Sequence, residues 1–391
     1  MTAEDPQRML RILMHCLYFP PEVGGLESHV FYLCRALVEQ GHRVDVVTSR
    51  SLPGLPASEV MDGVRVHRTW FPGRNPVGWA AHALASTPAA RALARSADIV
   101  HAQAFASVVP GLAASRAGGT PLVTTWHTSH FLTRAKKAGW RTVFRWMLES
   151  ADHNLAASQE IATVAEEIAP GVRVEALTNG VETEVFRRVA PALAAPPPGR
   201  FRILVPRRLF RKNGVEFAVR ALPAVLASVD AEMVLVGDGP ERRALEALVA
   251  ELGLGERVTF LGARPNHEMP ALLSSADLAV FPSLMEATSV AALECMSCQV
   301  PVAASRVGGL PEIVDEGVGG LFEPADPDDL ARTVVALLTD PDLPGRGRAG
   351  RARVEAEWSN ARLALRHVQV YRALLAGLPP RAESSLFPRT P

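Results

Sequence analysis

The stretch "LRILMHCLYFPPEVGGLES", residues 10–28, contains the unit from which the predicted fold is built. Residues 10–19 form an almost continuous apolar run, which is typical of a strand buried in a parallel sheet. A glycine turn follows, and from about Ser28 to Gln40 the apolar residues recur at helical spacing. Strand, glycine turn and amphipathic helix in this order predict a βα unit.

Strand-like segments recur between helical ones in two series. The first series continues at residues 42–49, 64–69, 97–103, 120–127 and 153–158, and the second comprises residues 201–208, 231–239, 257–263, 276–283, 300–305 and 319–324. A Pro/Ala-rich segment, residues 187–202, separates the series and is typical of a linker. We therefore predict an α/β fold with two parallel-sheet domains and a ligand between them, at the carboxyl ends of the strands.

Length and composition exclude several classes of protein. The 391 residues suit two domains, and 48% apolar with 21% charged residues is a globular composition. The 41 Lys and Arg balance the 41 Asp and Glu, so charge predicts no nucleic acid partner. Neither a signal peptide nor an apolar run of ~20 residues is evident, and we expect a cytoplasmic protein. The oligomeric state is left open.

Motifs for metals and cofactors are weak. Cys295 and Cys298 form a C-x-x-C inside an apolar helical pattern, which favours two buried core residues. Residues 326–329 ("DPDD") and 340–342 ("DPD") have D-x-D spacing but are typical of helix caps and turns. The glycines of "GDGPERR", residues 237–243, match a dinucleotide motif only in part. We therefore expect no metal and no cofactor.

Two loops carry groups suited to an anion or a sugar. Gly24 and Gly25 let backbone N–H groups approach a ligand at a helix start, although such turns often need glycine for geometry alone. The cationic residues after the strand at 201–208 are Arg207, Arg208, Arg211 and Lys212. Such a cluster suits a diphosphate, with a solvated basic loop as the equal alternative.

Glutamates and histidines complete the set of candidates. Glu286 and Glu294 are eight residues apart, just over two helical turns or ~12 Å along an axis. They would then hold separate hydroxyl-bearing parts of one ligand, the alternative being a surface helix with solvated carboxylates. Three histidines, His101, His127 and His130, lie at or just beyond strand ends. The alternative, a structural role, is favoured more strongly for His101 and His130 than for His127.

The amphipathic basic segment at residues 134–149 has two interpretations. Its apolar residues follow helical spacing and five basic residues lie nearby, which would suit an anionic membrane surface. A helix that packs on the core with a basic outer face is commoner, so membrane contact is not favoured.

In chain order, these motifs resemble the family-4 retaining glycosyltransferases of the GT-B fold. The matching segments, within about residues 10–325, are "PPEVGGLESH", "TTWHTS", "TNGVETEVF", "PRRLFRKNG", "VGDGPER", "FLGARP", "EATSVAALE" and "SRVGGLPEIV". The resemblance implies Rossmann-like domains facing across a cleft, with an acceptor-side domain at 1–190 and a nucleotide-sugar-binding domain at 191–358. It also implies a helix at 359–376 that crosses back to the first domain, and we expect a flexible tail at 377–391.

Roles for individual residues follow from the same resemblance. Glu286 would contact the donor sugar, Glu294 would bind the ribose, and His127 would help to position the sugar. Arg208 and Lys212 would grip the diphosphate. The remaining donor-binding candidates are Gly24, Gly25, Gly237, Arg264, Ala287, Thr288, Ser289 and Val290. The chain departs from the family pattern at Asn213, which takes the usual lysine position, and at Ala287, Ser289 and Gln299, which take positions where glycine is usual.

The predicted reaction is metal-independent transfer of a hexose or amino-hexose, with retained configuration, from a nucleotide-diphosphate sugar to an acceptor hydroxyl. A UDP-sugar donor is favoured. Three segments, "LYFPPEVGGLESHV", "RRLFRKNGVEF" and "LMEATSVAALE", also resemble glycosyltransferases of kanamycin-type aminoglycoside biosynthesis. This resemblance implies a pseudodisaccharide acceptor, with Glu22 and Glu27 as candidates to bind it. The alternatives are a mannosyl- or glucosyltransferase with a lipid or polysaccharide acceptor, a nucleotide-sugar epimerase, and a non-catalytic nucleotide-sugar-binding protein.

Overall fold

The structure is a computed structural model that describes residues 8–22, 24–127 and 129–380. The chain divides into two compact units. The first unit contains the residues up to Asn179 together with those from Asn360 onward, and the second contains Gly180–Ser359. Of the tail expected to be flexible, residues 381–391 lie outside the described residues.

The first unit is built on an eight-stranded sheet. Its strands are β1 (Arg11–His15), β2 (Arg43–Ser49), β3 (Ser58–Met61), β4 (Val64–Thr69), β5 (Ile99–Gln103), β6 (Leu122–Trp126), β7 (His153–Ala156) and β8 (Val174–Ala176). They lie in the order β3-β4-β2-β1-β5-β6-β7-β8, and only the β3–β4 pair is antiparallel. Sequence analysis missed β3 and β8 because both are short edge strands without a continuous apolar run.

Helices connect the parallel strands of the first unit. They are α1 (Gly25–Glu39), α2 (Pro76–Ala94), α3 (Val108–Gly118), α4 (Ser129–Ala135), α5 (Ala138–Glu149) and α6 (Gln159–Ile168), with a 3₁₀ turn at Phe105–Ser107. The segment at 134–149 was expected to be one helix but forms the end of α4 and all of α5, because Lys137 between them has extended backbone. Phe144 and Met147 are buried, which confirms that this segment packs on the core.

The second unit is built on a six-stranded, all-parallel sheet. Its strands are β9 (Phe201–Val205), β10 (Ala231–Val236), β11 (Val258–Gly262), β12 (Leu278–Phe281), β13 (Val302–Ser305) and β14 (Gly319–Phe322), in the order β11-β10-β9-β12-β13-β14. Successive residues of β9, Ile203 and Leu204, belong to two different apolar clusters. The sheet is therefore buried on both faces, which explains why its strands have continuous apolar runs.

The helices of the second unit follow the same alternation. They are α7 (Val215–Leu226), α8 (Arg242–Glu251), α9 (Met269–Leu273), α10 (Val290–Ser297), α11 (Leu310–Ile313), α12 (Pro327–Leu338) and α13 (Leu343–Arg353), with 3₁₀ turns at Arg211–Asn213 and Asn266–Glu268 and a π-helical turn at Val354–Trp358. The predicted fold class, two parallel-sheet α/β domains, is confirmed.

The last helix, α14 (Asn360–Leu375), belongs to the first unit although it follows the second in the chain. Val370 and Tyr371 are fully buried in the apolar cluster that also contains residues of β1 and α1. The Arg366 guanidinium lies 2.7 Å from the Glu175 carboxylate, and this pairing, with His153, lowers the pKa of Glu175 against the opposing effect of burial. Apolar packing and a buried ion pair thus hold α14 on the first unit.

Several motifs that were set aside have structural roles. Asp326 caps α12, where its carboxylate accepts from the backbone N–H groups of Asp328 and Asp329, so its interpretation as a cap is confirmed. Cys295 and Cys298 are buried, free thiols, as expected. Among the described residues, no helix is long and apolar enough to cross a membrane.

Candidate active site

In the second unit, the candidate residues lie on loops that follow neighbouring strands of the sheet. Gly237, after β10, has φ +147°, and a Cβ there would stand 2.2 Å from the carbonyl oxygen of Arg207, after β9. Gly214 has φ +60°, and a Cβ there would stand 1.9 Å from the carbonyl oxygen of Pro282, after β12. Glycine is therefore required at both positions, because the loops after β9, β10 and β12 approach through their backbones.

Arg207 joins these loops through its side chain. Its Nη2 lies 2.9 Å from Asn213 Oδ1 and 2.9 Å from Ser283 Oγ, and it also donates to the Glu286 carboxylate. Its Nη1 lies 3.5 Å from Ser289 Oγ. Arg207 was predicted only as one member of the basic cluster, so sequence analysis missed its central position. The sequence shows the basic cluster, but only the packing of the loops shows which of its four cations is buried among these partners.

Arg208 and Lys212, the two cations expected at the diphosphate, are both exposed. The Arg208 guanidinium packs over the ring of Phe210, 5.6 Å from its centroid, and forms no ion pair with a described residue. Desolvation lowers the pKa of Lys212, repulsion from Arg208 and Arg207 acts in the same direction, and Glu286 opposes it. Lys212 therefore lies in the same electrostatic environment as Glu286.

Asn213 explains why this chain departs from the family pattern. Its side chain is 3% exposed, accepts from Arg207, and donates from Nδ2 to the Arg208 carbonyl oxygen at 2.6 Å. A lysine ammonium could donate to that carbonyl oxygen, but it has no acceptor for Arg207 and would stand beside the Arg207 guanidinium. Asparagine therefore suits a position that holds Arg207 in place.

The expectation that Glu286 and Glu294 lie on one helix is wrong. Helix α10 begins at Val290, and its N-cap is Ser289, whose Oγ accepts from Ala292 N at 3.3 Å. Glu286 therefore lies on the loop before α10, where it pairs with Arg207, and only Glu294 is on the helix. The helical spacing between the two glutamates does not apply, because residues 286–289 are not helical.

Two polar groups near the start of α10 have no described partner. Glu294 forms no hydrogen bond or ion pair with the described residues, and desolvation raises the pKa of its carboxyl to about 8. Near neutral pH this carboxyl is largely protonated, so it can both donate to and accept from a hydroxyl. Thr288 Oγ1 is buried and likewise has no hydrogen-bond partner within the described part of the chain.

The other donor candidates of the second unit are distributed unevenly. Ala287 is buried and Val290 is the first residue of α10, so both lie on the segment that carries Glu286 and Glu294. Arg264 is exposed on the loop after β11, with its Nη1 3.8 Å from Glu268 Oε2. No described contact joins Arg264 to the Arg207 cluster.

In the first unit, the glycine turn leads directly into α1. Gly24 is the N-cap and Gly25 the first helical residue. A Cβ at Gly24 would stand 2.1 Å from Glu27 Oε2, so the Glu27 carboxylate folds back over the turn. Glu22 is buried and accepts from Arg74, while its Oε1 has no hydrogen-bond partner among residues 8–22, 24–127 and 129–380. The turn thus presents carboxylates beside its backbone N–H groups.

His127 follows β6 and is 2% exposed. Its Nε2 lies 2.7 Å from Gln103 Oε1, and its Nδ1 is buried with no described hydrogen-bond partner. Burial, and to a smaller extent His367, lowers the pKa of His127 to about 3, so the ring is neutral at physiological pH. Gln103 was missed, although it lies two residues after His101 and thus on the same face of β5.

The other two histidines differ from His127. The His101 ring nitrogens are both occupied, with Nδ1 2.7 Å from Tyr371 Oη and Nε2 2.7 Å from Thr125 Oγ1, which favours the structural alternative. His130 is exposed on α4.

Comparison with known proteins agrees with this arrangement. A sequence profile described as "Glycosyltransferase Family 4" matches residues 23–185, and one described as "Glycosyl transferases group 1" matches residues 200–340. The chain is 30% identical to a glycogen synthase of Mycobacterium tuberculosis, over 94% of this chain and 96% of the relative. It is 31% identical to a 2-deoxystreptamine glucosyltransferase of Streptomyces kanamyceticus, over 88% and 98%.

A solved structure extends the similarity to the fold. Sucrose-phosphate synthase from Thermosynechococcus elongatus superimposes with a TM-score of 0.82 at 27% identity, covering 95% of this chain and all of that one. The two sheets of eight and six strands are those of the GT-B fold. The chain therefore belongs to family 4 of the group 1 glycosyltransferases, enzymes that transfer a sugar from a nucleotide-sugar donor.

Proposed function

We propose that this glycosyltransferase moves a hexose or amino-hexose from a UDP-sugar to an acceptor hydroxyl, with retention and without a metal. The observation that carries the proposal is the partnerless pair of polar groups on the segment after β12. Glu294 and Thr288 Oγ1 have no described hydrogen-bond partner, while Glu286 beside them is held by Arg207. Such groups suit the hydroxyls of a ribose and a sugar.

The diphosphate has cationic residues available in the same unit. Arg208 is exposed and in no ion pair with a described residue, and Lys212 lies in the electrostatic neighbourhood of Glu286. Both would stabilise the charge that develops on the leaving diphosphate. The first amides of α10 add a positive helix N-terminus. The chain's own contribution to catalysis would then be electrostatic, with the acceptor hydroxyl giving its proton to the departing phosphate.

For the acceptor, we propose an aminoglycoside pseudodisaccharide. One relative is named a 2-deoxystreptamine glucosyltransferase, which supports this class. Glu22 Oε1, which is buried beside Arg74 and has no hydrogen-bond partner among the described residues, supports a ligand that donates hydrogen bonds. The glycogen synthase relative favours a polysaccharide acceptor as the second candidate. The lysine- and arginine-rich stretch at 134–145 would repel a cationic acceptor, and we propose the turn at Glu22 and Glu27 as its binding site.

Thermal stabilisation by UDP, GDP and ADP at one millimolar concentration tests the donor. A nucleotide at ~100 times its Kd adds about 2.7 kcal/mol to the free energy of unfolding. Stabilisation by UDP alone supports the proposal, whereas stabilisation by GDP alone indicates a mannosyltransferase. If none of the three nucleotides stabilises the protein, the assignment of a donor site is contradicted.

Product analysis with UDP-sugars then separates the remaining alternatives. Conversion of the donor to an epimer without an acceptor indicates an epimerase. Donor binding without turnover, across aminoglycoside, oligosaccharide and lipid acceptors, indicates a non-catalytic protein. Transfer to an aminoglycoside but not to a glucan primer supports the proposed acceptor class, and the reverse result contradicts it.

A further inference from the structure

Four buried side chains of the first unit form a continuous hydrogen-bonded series. His127 Nε2 lies 2.7 Å from Gln103 Oε1, and Gln103 Nε2 lies 3.3 Å from His101 Nε2. His101 Nδ1 lies 2.7 Å from Tyr371 Oη, which is on α14. Each of the four residues is at most 2% exposed, so water does not replace these contacts.

The orientation of the Gln103 amide decides where the protons lie. An amide has one end that only donates and one that only accepts, and its orientation is assigned from the surrounding network. Gln103 Nε2 lies 3.2 Å from the Met14 sulfur, a weak acceptor. In the reverse orientation the Gln103 amide oxygen would face the Met14 sulfur, and both of these groups are acceptors. Oε1 therefore faces His127, and Nε2 faces Met14 and His101.

This orientation sets the tautomers of both histidines. Because Gln103 Oε1 can only accept, the His127 proton is on Nε2. Because Gln103 Nε2 can only donate, His101 Nε2 is an acceptor, and the His101 proton is on Nδ1, directed at Tyr371 Oη. Neutral imidazole has a single N–H, so His127 Nδ1 retains its lone pair.

His127 Nδ1 is a buried acceptor without a described partner. The titratable groups that face His127 are His29 of α1, 5.7 Å away between ring centroids, together with His101 of β5 and His367 of α14. None of them is a carboxylate that would stabilise a second proton on the ring. A lone pair in this position attracts an O–H or N–H donor and repels phosphate oxygens.

We propose that Gln103 is a positioning residue that, with His101 and Tyr371 behind it, holds His127 as the Nε2–H tautomer, so that Nδ1 accepts from a hydroxyl of the bound sugar. Only the identity of that hydroxyl rests on the proposed function. The tautomer is a property of the chain without ligand.

Nitrogen-15 NMR of the full chain labelled at histidine tests the proposal, because protonated and bare ring nitrogens resonate far apart. His127→Gln assigns the His127 signals. In the wild type we expect His127 to be protonated at Nε2 and bare at Nδ1 at pH 7. Gln103→Met, which has a similar shape but no acceptor oxygen, should lose this preference, and Gln103→Glu, whose carboxylate stabilises a second proton on the ring, should protonate Nδ1 as well.

A His127 ring protonated at Nδ1 in the wild type, or a tautomer unchanged in Gln103→Met, would overturn the proposal. Tyr371→Phe provides a milder variant if Gln103→Met does not fold, and it should change the His101 signals first. Addition of UDP-glucose should shift the His127 Nδ1 signal through the new hydrogen bond. If the nucleotide sugar binds, as thermal stabilisation shows, and Nδ1 does not respond, the hydroxyl contact is wrong while the tautomer stands. Gln103→Met should reduce kcat/KM for the donor at least ten-fold, and Gln103→Glu should reduce it as well, because a doubly protonated His127 has no lone pair with which to accept from the hydroxyl.

Discussion

Arg207 donates to the carboxylate of Glu286, and both side chains are mostly buried, at 11% and 15% exposure. The ion pair connects the loop after β9 with the loop after β12. Removing one partner of such a pair leaves a desolvated charge, which costs far more than the loss of an exposed pair. This ion pair distinguishes Arg207 from its neighbour Arg208, which is exposed and forms no ion pair with a described residue.

Arg207→Ala should therefore lower the free energy of unfolding by about 3 kcal/mol, in the range found for broken buried pairs. Arg208→Ala, the matched control, should change it by less than about 0.5 kcal/mol, as exposed substitutions do. Urea unfolding of both variants checks the difference. Equal losses of unfolding free energy in the two variants would show that Arg207 has no larger structural role than Arg208.

Arg208→Ala should instead act on catalysis. Removing one donor that stabilises developing charge typically reduces kcat by about 10²–10³. We expect that reduction in kcat, with the UDP-induced thermal shift also weakened. Near-normal turnover of Arg208→Ala would exclude it from the diphosphate site. Arg243→Ala, on α8 of the same unit, is the control for general loss of positive charge.

Glu294→Gln should make the protein more stable at alkaline pH. Burial raises the pKa of this carboxyl from 4.5 to about 8, so the folded state binds the proton more tightly than the unfolded state. The stability linked to Glu294 is fully present below pH 4.5 and is lost as pH rises through 8. Between pH 5 and pH 8 the wild type should lose roughly 3 kcal/mol from this group, and the neutral variant should not.

The same substitution should weaken nucleotide binding if Glu294 contacts the ribose. Unfolding at pH 5 and pH 8, with and without UDP, measures both effects. A variant with unchanged pH dependence contradicts the raised pKa, and a variant with an unchanged UDP shift contradicts the ribose contact.

Acid should destabilise the protein through buried histidines of the first unit. Burial lowers the pKa of His15 and His127 to about 3 and that of His367 to about 4. The unfolded state binds these protons first, so the linked stability is present above pH 6.5 and is lost as pH falls below it. From pH 7.5 to pH 5.5 each group should cost roughly 1 kcal/mol. Urea unfolding at the two pH values measures the loss, and His127→Gln should remove one share; an unchanged loss would contradict it.

Gly237→Ala should distort the loops around Arg207. The residue has φ +147°, and the new Cβ would stand 2.2 Å from the Arg207 carbonyl oxygen. We expect a loss of about 1–3 kcal/mol in the free energy of unfolding and a weaker UDP-induced shift. Gly255→Ala is the control, because no atom lies within 4 Å of its new Cβ. Similar melting temperatures for both variants would contradict the close approach.

The sequence by itself determined the parallel-sheet fold and most of the strands. Continuous apolar runs such as residues 231–236 can be satisfied only inside a sheet covered on both faces, and that requirement is local to the run. The helix start at Asp326 was also predictable, because a cap acts on amides two or three residues away. The segments that carry the candidate site residues were also found, because the patterns that mark them are likewise local in the sequence.

Only the tertiary structure decided which side chains within those segments meet. Helical spacing placed Glu286 and Glu294 on one helix, but the helix begins after Glu286, whose partner Arg207 is 79 residues earlier in the chain. The series from His127 through Gln103 and His101 ends at Tyr371, 270 residues from His101. Such pairings depend on how strands and helices pack and on which buried donors and acceptors remain to be satisfied. Local periodicity contains no information about either, because it reports only which face of an element is apolar.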